Sequence, residues 1–218
     1  MLLDQIDINQ SVVTIDAAGC QKNIAAKIID RKGDYVLALK GNQGTLHAAV
    51  RNYIITHMEN EFANVPARKY VERLKGHGRE DELVYYQLPV PDDLVRKAKW
   101  KGVRTIGVVI RMSENGEQWT SDVRYYISSL KLSVKRFAAC VRGHWGIENT
   151  LHWCLDVTFR EDESRVRNRT LADNLAWLKR FAISLLKQVD DKESIAMRRR
   201  MAGWNPNFLA KVLGIPTT

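Results

Sequence analysis

A mixed α/β fold is what this sequence predicts, and three observations predict it. Two short apolar runs, VVTID at 12–16 and DYVLALKGN at 34–42, are each followed by a helical pattern, which is the alternation of a parallel α/β arrangement. The stretch 65–130 then changes character, with alternating apolar residues and turn dipeptides. From 131 onward, apolar residues recur at four-three spacing, the period of helices packed on one face. The expected organisation is a partial α/β core over 1–64, a β-rich insertion or sheet extension over 65–130, and a helical part over 131–218.

The elements follow in order. Residues 12–16 read as a buried strand that ends on Asp16, and Gly19 precedes a helix from about Gln21 to Arg31. Residues 34–42 give a second buried strand, and Leu46 to Met58 a second helix. Over 68–90 a hairpin is expected, with Gly76 to Gly78 near its turn. VRTIGVVIR at 103–111 is a strand, Asn115-Gly116 is a hairpin turn signal, and VRYYISSL supplies the returning strand. Leu171, Leu175, Leu178, Ala182, Leu185 and Val189 predict a core-packed helix. Two α/β strands make a thin sheet, so either the β-rich stretch completes it or strands are missing on the N-terminal side.

Composition narrows the function classes. The chain has 218 residues and a formal net charge of +9, which favours a polyanionic partner such as nucleic acid or an acidic membrane. Residues 160–211 alone hold twelve Lys and Arg against seven Asp and Glu. Cys20, Cys140 and Cys154 form no Cys-x-x-Cys pair, and an odd count argues against a disulfide framework. No apolar run approaches the roughly 18 residues of a membrane span, and MLLDQIDINQ has acids where a signal peptide is basic. A soluble, cytoplasmic protein is expected.

The chemistry centres on one carboxylate. Val134, Ala138, Val141, Trp145, Glu148, His152 and Leu155 share one helix face. An ionised carboxylate facing a core costs several kcal/mol or more unless it is compensated, and a metal ion is one compensation. The alternative is an edge position, with His144, Glu148 and His152 as an ordinary polar strip. Asp16 ends a strand, where sites form in open α/β sheets, but Asp before Ala-Ala-Gly also suits a helix N-cap. Together, two such carboxylates could hold Mg2+, as in phosphodiester cleavage and strand transfer. Lys40, after a buried strand, could reach a phosphate or simply be solvated. Trp145 and Trp153 could stack on bases or fill the core. Asp156, Glu161, Asp162 and Glu163 are expected to cap or to pair with Arg165 and Arg167, and Arg198 to Arg200 reads as a solvated face. His144 and His152 lack partners at zinc spacing.

Taken together, VVTIDAAGCQKNIA, DYVLALKGNQGTLH, GHGR, RYYISSL, HWGIENTLHW, LDVTFREDESRVR and NLAWLKRFAISLLK resemble, in that order and nearly end to end, the H-repeat-associated insertion-sequence transposases of the DDE kind. The resemblance implies a ribonuclease H-like catalytic core, incomplete at the N-terminus, with Mg2+ or Mn2+ held by three acids. The second acid falls on Asp16 in VTIDAAG and the glutamate on Glu148 in HWGIEN. Where related transposases carry an arginine four residues before the glutamate, this chain has His144; where they carry a lysine seven residues after, it has Leu155. Candidate DNA contacts are therefore Lys40, Arg142 as a nearby substitute, His144 and Trp145. Gly76 to Arg79 match the glycine-histidine-glycine-arginine hairpin, while Glu80 to Leu83 depart from the group. No counterpart of the first aspartate precedes residue 11. The expectation is a truncated DNA transposase with little or no activity alone, acting on the terminal repeats of an insertion sequence, with self-association or association with a full-length transposase. The alternative is a non-catalytic DNA-binding or interaction fragment, and a further one is a non-functional remnant.

Overall fold

The computed structural model describes residues 2–76, 79–94, 99–115 and 118–216, with the backbone alone described at 2, 75, 76, 79, 115, 118, 148 and 149. The chain divides into two compact units, Met1–His144 and Trp145–Thr218.

The first unit is built on one six-stranded sheet in the order β1-β2-β6-β5-β4-β3. Its strands are β1 (Val12–Ile15), β2 (Asp34–Leu39), β3 (Arg68–Gly76), β4 (Arg79–Pro89), β5 (Thr105–Asn115) and β6 (Gln118–Ser128). With them go α1 (Lys22–Asp30), α2 (Gly44–Met58) and α3 (Val134–Ile147), the last running across the boundary into the second unit. β1 and β2 pair in parallel with Ile15 opposite Leu37, as the strand-helix-strand spacing predicts. The β-rich stretch extends this same sheet: β6 lies antiparallel to β2 from Val36↔Ser128 to Leu39↔Tyr125. The β5–β6 register runs out to Asn115↔Gln118, so the predicted hairpin stands, while Gly116 of its turn lies outside the described residues. His77 and Gly78 of the other turn also lie outside them, between the paired Gly76 and Arg79.

Strand alternation sorts the side chains onto two faces. On one face Tyr35, Leu37, Leu39, Ile106, Val108 and Ile127 pack with Ala25 and Ile28 of α1 and with Leu46, Val50 and Ile54 of α2. The other face receives Phe137 of α3. Its ring is fully buried, edge-on to Tyr126 at 5.5 Å and Tyr85 at 6.4 Å. Gly107 on β5 is what admits it, because a Cβ there would lie 2.6 Å from Phe137 Cζ.

A buried polar node determines where α3 begins. Ser129 Oγ accepts from the Tyr35 amide at 2.8 Å and donates to Asp34 Oδ1 at 2.7 Å, while Ser128 Oγ donates to the Tyr35 carbonyl at 2.9 Å. Gln87, 1% exposed, donates to Thr105 Oγ1 at 2.9 Å and accepts from the Ser133 amide at 2.8 Å. Ser133 in turn accepts the Phe137 amide at 3.0 Å, the first helical turn of α3. Buried polar groups are tolerable only when paired in this way.

The second unit is helical. After α3, the backbone passes through two π-helical turns, Glu148–His152 and Cys154–Thr158, before α4 (Arg169–Gln188), α5 (Ile195–Trp204) and α6 (Pro206–Leu213). Asn168, Ser194 and Asn205 cap the three helices with their side chains, Pro206 opens α6, and Gly214 closes it at φ 66°. One small core joins Leu186, Val189, Phe208 and Val212, and another joins Cys154, Leu155 and Ile183.

Two expectations for this unit are corrected. The stripe on α4 is core-packed only in its C-terminal half, since Leu171 and Leu178 are 50% and 52% exposed. The reason is length: α4 has 20 residues and runs about 30 Å, whereas α5 and α6 have 10 and 8. Arg198 is not on a solvated face either. It donates to Asp191 Oδ1 at 2.6 Å, the Asp191 carbonyl at 2.7 Å and the Leu186 carbonyl at 2.9 Å, tying α5 to the end of α4.

Candidate functional site

Asp16 sits immediately beyond β1, with an extended backbone (φ −69°, ψ 179°), and caps the 3-10 turn Ala17–Gly19. Its Oδ1 accepts from the Ala18 amide at 3.1 Å and the Gly19 amide at 3.4 Å. Among the described residues no donor reaches Oδ2, and the side chain is exposed. The cap reading is thus correct, and it leaves one carboxylate oxygen open on a side chain oriented by two amides.

The loop around Asp16 is held by the loop after β2. Asn42 Nδ2 donates to the Ala17 carbonyl, and Gln43 Nε2 donates to the Cys20 carbonyl at 3.0 Å. Lys40, exposed, lies in the same second loop. Because β1 and β2 run parallel with Ile15 level with Leu37, Asp16 and Lys40 stand past the carboxyl ends of neighbouring strands. This is where an open α/β sheet places its ligands.

Helix α3 reaches the same strand from the other side of the sequence. His144 Nδ1 lies 3.2 Å from Thr14 Oγ1, two residues before Asp16. Val13 and Ile15 face the α1–α2 core, so Thr14 and Asp16 belong to the opposite face, the one covered by α3. His144 is therefore a helix-to-strand tie beside the Asp16 loop.

Arg142 is occupied in part. Its Nε stands 3.6 Å from Glu72 Oε2 on β3, and the buried Tyr85 hydroxyl donates to the same oxygen at 3.3 Å. Burial, and then the Glu72 charge, push the Tyr85 hydroxyl far above the usual tyrosine range, with Arg142 opposing. Trp145 is buried, at 9% exposure, which favours a packing role; Trp153, at 56%, presents its ring to solvent.

Glu148 opens the first π-helical turn, and its side chain lies outside the described residues. The seven-residue stripe read at α-helical pitch holds as far as Trp145: Ala138, Val141 and Trp145 are buried. Beyond it the backbone turns to i→i+5 bonding, and His152 departs from the stripe by being exposed, whereas Leu155, its last member, is buried along with Cys154 and Thr158. The acid cluster also pairs differently from expectation. Glu161 bridges to Arg180 on α4 at 3.2 Å and Glu163 to Arg160 at 3.7 Å, three residues away, rather than to Arg165 or Arg167.

Among the described residues no three His, Cys, Asp or Glu side chains form a ready metal cage. Asp16 still suits a hard cation as one ligand, since Mg2+ takes one or two carboxylates together with water and phosphate oxygens. Thr14, Asn42 and Gln43 were not visible as site residues, because nothing local in sequence marks a tie that depends on the fold.

The family described as "Transposase DDE domain" matches residues 1–186. The chain is 36% identical over 217 residues to "Putative transposase YncI" of Escherichia coli O157:H7, covering 97% of this chain and 55% of that protein. It is 37% identical to YbfL of Escherichia coli K12, over 97% of this chain and 57% of that protein. It is 36% identical to "H repeat-associated putative transposase YhhI" of the same strain, with the same coverage of 97% and 57%. The chain thus spans a little over half the length of these relatives. Among the described residues, no helix is long and apolar enough to cross a membrane.

Proposed function

We propose, from the premise that this chain belongs to the transposase DDE domain family, that it carries part of a metal-dependent site for DNA strand cleavage and transfer on a ribonuclease H-like core. Asp16 and Glu148 would hold a Mg2+ or Mn2+ ion, and the DNA partner would be the terminal repeats of an insertion sequence. The observation that supports this reading is the Asp16 carboxylate itself. It stands at a strand's carboxyl end, with one oxygen fixed by two amides and the other open.

This chain's own residues supply orientation and charge. The Ala18 and Gly19 amides fix the Asp16 carboxylate without using its second oxygen, and Asn42 and Gln43 fix the loop beneath it. Lys40, past the adjacent strand, would offer its ammonium to a phosphate. The His144–Thr14 contact keeps α3, whose helical backbone leads on to Glu148, against the strand that leads to Asp16. The cation, when bound, would activate water and neutralise charge on the phosphate. Two of the family's three acids find counterparts in this sequence, and metal catalysis depends on a complete coordination set. Little strand cleavage by this chain alone is the expected result. The second reading, a DNA-binding or transposase-association fragment, draws on that incomplete set together with the net charge of +9.

Asp16→Asn tests the assignment, because asparagine keeps the cap and removes the charge. It should leave stability within a few tenths of a kcal/mol while abolishing Mn2+ binding measured calorimetrically. Asp16→Ala should lose both, with about 1 kcal/mol of stability. Undiminished Mn2+ binding by Asp16→Asn would sink the assignment. Robust Mg2+-dependent nicking of terminal-repeat DNA, lost on Glu148→Gln, would overturn the expected inactivity.

A further inference from the structure

The geometry points to a phosphate-binding rail in the second unit, formed by Arg165, Arg167 and Arg169, that takes successive phosphates of one DNA strand. It rests on the DNA-partner reading above and is separate from the Asp16 site.

Three observations carry it. The first is that these cations are uncommitted. All three arginines are exposed, and among the described residues no carboxylate lies within ion-pair distance of any of them. Of the nearby acids, Glu161 pairs with Arg180 and Glu163 with Arg160, and the exposed Asp162 forms no ion pair with any of the three. Asp173, one helical turn beyond Arg169, forms no ion pair with it.

The second is the backbone. Residues Ser164–Asn168 are neither helical nor part of a turn, and Asn168 is extended at φ −73° and ψ 117°. Val166 is half-buried between the exposed Arg165 and Arg167, so the charged residues alternate with a tucked apolar one. Two residues of extended chain span at most about 7 Å, comparable with the step between neighbouring phosphates along a strand. A guanidinium fork matches phosphate oxygens bidentately, so each arginine suits one phosphate.

The third is a charge of the wrong sign for stability. Arg169 opens α4 and the first turn contains no acidic residue. A helix N-terminus carries partial positive charge, and cations there are unfavourable by about 0.3–1 kcal/mol. Arg169 in the first turn makes the helix less stable than an acid would, with Arg167 just before the cap adding like charge, unless an anion neutralises them. Asn168 already caps the Leu171 amide at 3.0 Å, so the arginines contribute nothing to capping.

The test is fluorescence anisotropy of the full chain on a labelled duplex oligonucleotide, in EDTA so that no metal site contributes, over a salt series. Each phosphate contact adds about 0.9 to the slope of log affinity against log salt. The variant R165Q/R167Q/R169Q should therefore bind with a slope shallower by about 2–3. The charge-matched control K192Q/R200Q/K211Q, three exposed cations elsewhere in the same unit, should keep the wild-type slope to within about one contact. Thermal unfolding supplies a readout of opposite sign: the rail variant should melt at or slightly above wild type, whereas a structural role would lower the melting temperature. Equal slope losses in rail variant and control would overturn the rail while leaving the DNA reading intact. A wild-type chain that fails to bind DNA would overturn both. Loss of binding to phosphatidylserine vesicles in the rail variant, with the DNA slope unchanged, would assign the arginines to a membrane surface and overturn the rail.

Discussion

Enlarging Gly107 by one methyl should damage the packing of α3, and shortening Phe137 should repair it. A Cβ at position 107 would stand 2.6, 2.9 and 3.1 Å from Phe137 Cζ, Cε1 and Cε2, where carbon atoms prefer about 3.5–4.0 Å. The ring has no room to swing aside: Phe137 is fully buried, with Tyr126 at 5.5 Å and Tyr85 at 6.4 Å. The strand or the helix must therefore move by about 1 Å, a strain of roughly 1–3 kcal/mol. Reduced unfolded-state freedom returns about 0.4–1 kcal/mol of this, so Gly107→Ala should lose about 1–2 kcal/mol. Phe137→Leu alone should lose about 1–2 kcal/mol through the cavity at the ring tip. In the double variant the new methyl enters that cavity, and the combined loss should fall at least about 1 kcal/mol short of the sum. Urea unfolding of the four proteins, followed by circular dichroism, measures the cycle. Losses that add to within about 0.5 kcal/mol would refute the contact.

Arg198→Met should cost about 3 kcal/mol or more, because it leaves Asp191 charged and partly buried and strips the Leu186 carbonyl of its partner; Arg200→Met, on an exposed residue, should change stability by under about 0.5 kcal/mol, and similar losses from the two would refute the buried role. Burial pushes the Cys20 thiol from 9.0 up to about 12. Between those values the folded chain keeps a proton that the unfolded chain has released, so stability present below pH 9 should fall as pH rises toward 12. Urea midpoints should decline less steeply in Cys20→Ala than in wild type across that window, and identical declines would refute the attribution.

The parts of this molecule legible in sequence are those written in contiguous residues. Val12–Ile15 and Asp34–Leu39 were found because short apolar runs end at polar or glycine residues, and Asn115 marked its hairpin because that turn type demands particular residues. Asp16 was found at the end of its strand, with both of its possible roles in view. What stayed hidden was written across distance. Ser129 reaches Tyr35 over 94 residues and His144 reaches Thr14 over 130, and a serine or threonine gives no local sign of such a tie. The exposure of His152 is hidden too, because nothing in the sequence marks where the backbone turns π-helical, although Leu155 of the same stripe is buried. On α4, periodicity identified an apolar stripe correctly, but not how far along its length other helices would cover it. Leu171 and Leu178 are exposed for that reason.

The order of strands in the sheet also bears on how the chain reaches its folded state. β3, β4, β5 and β6 are neighbours in sequence as well as in space, so this meander assembles by short loop closures. The β1–β2 pair joins it only when β2 meets β6, an event that brings Tyr35 to Ser129 across 94 residues. With the meander formed, the segment left to close is 40–67, at a cost of about 3 kcal/mol in chain entropy before any contact rewards it. The carboxylate beyond β1 thus depends on the slowest kind of docking in this topology. A change at Ser128 or Ser129, far from Asp16 in sequence, acts on the step that delivers the acid to its place.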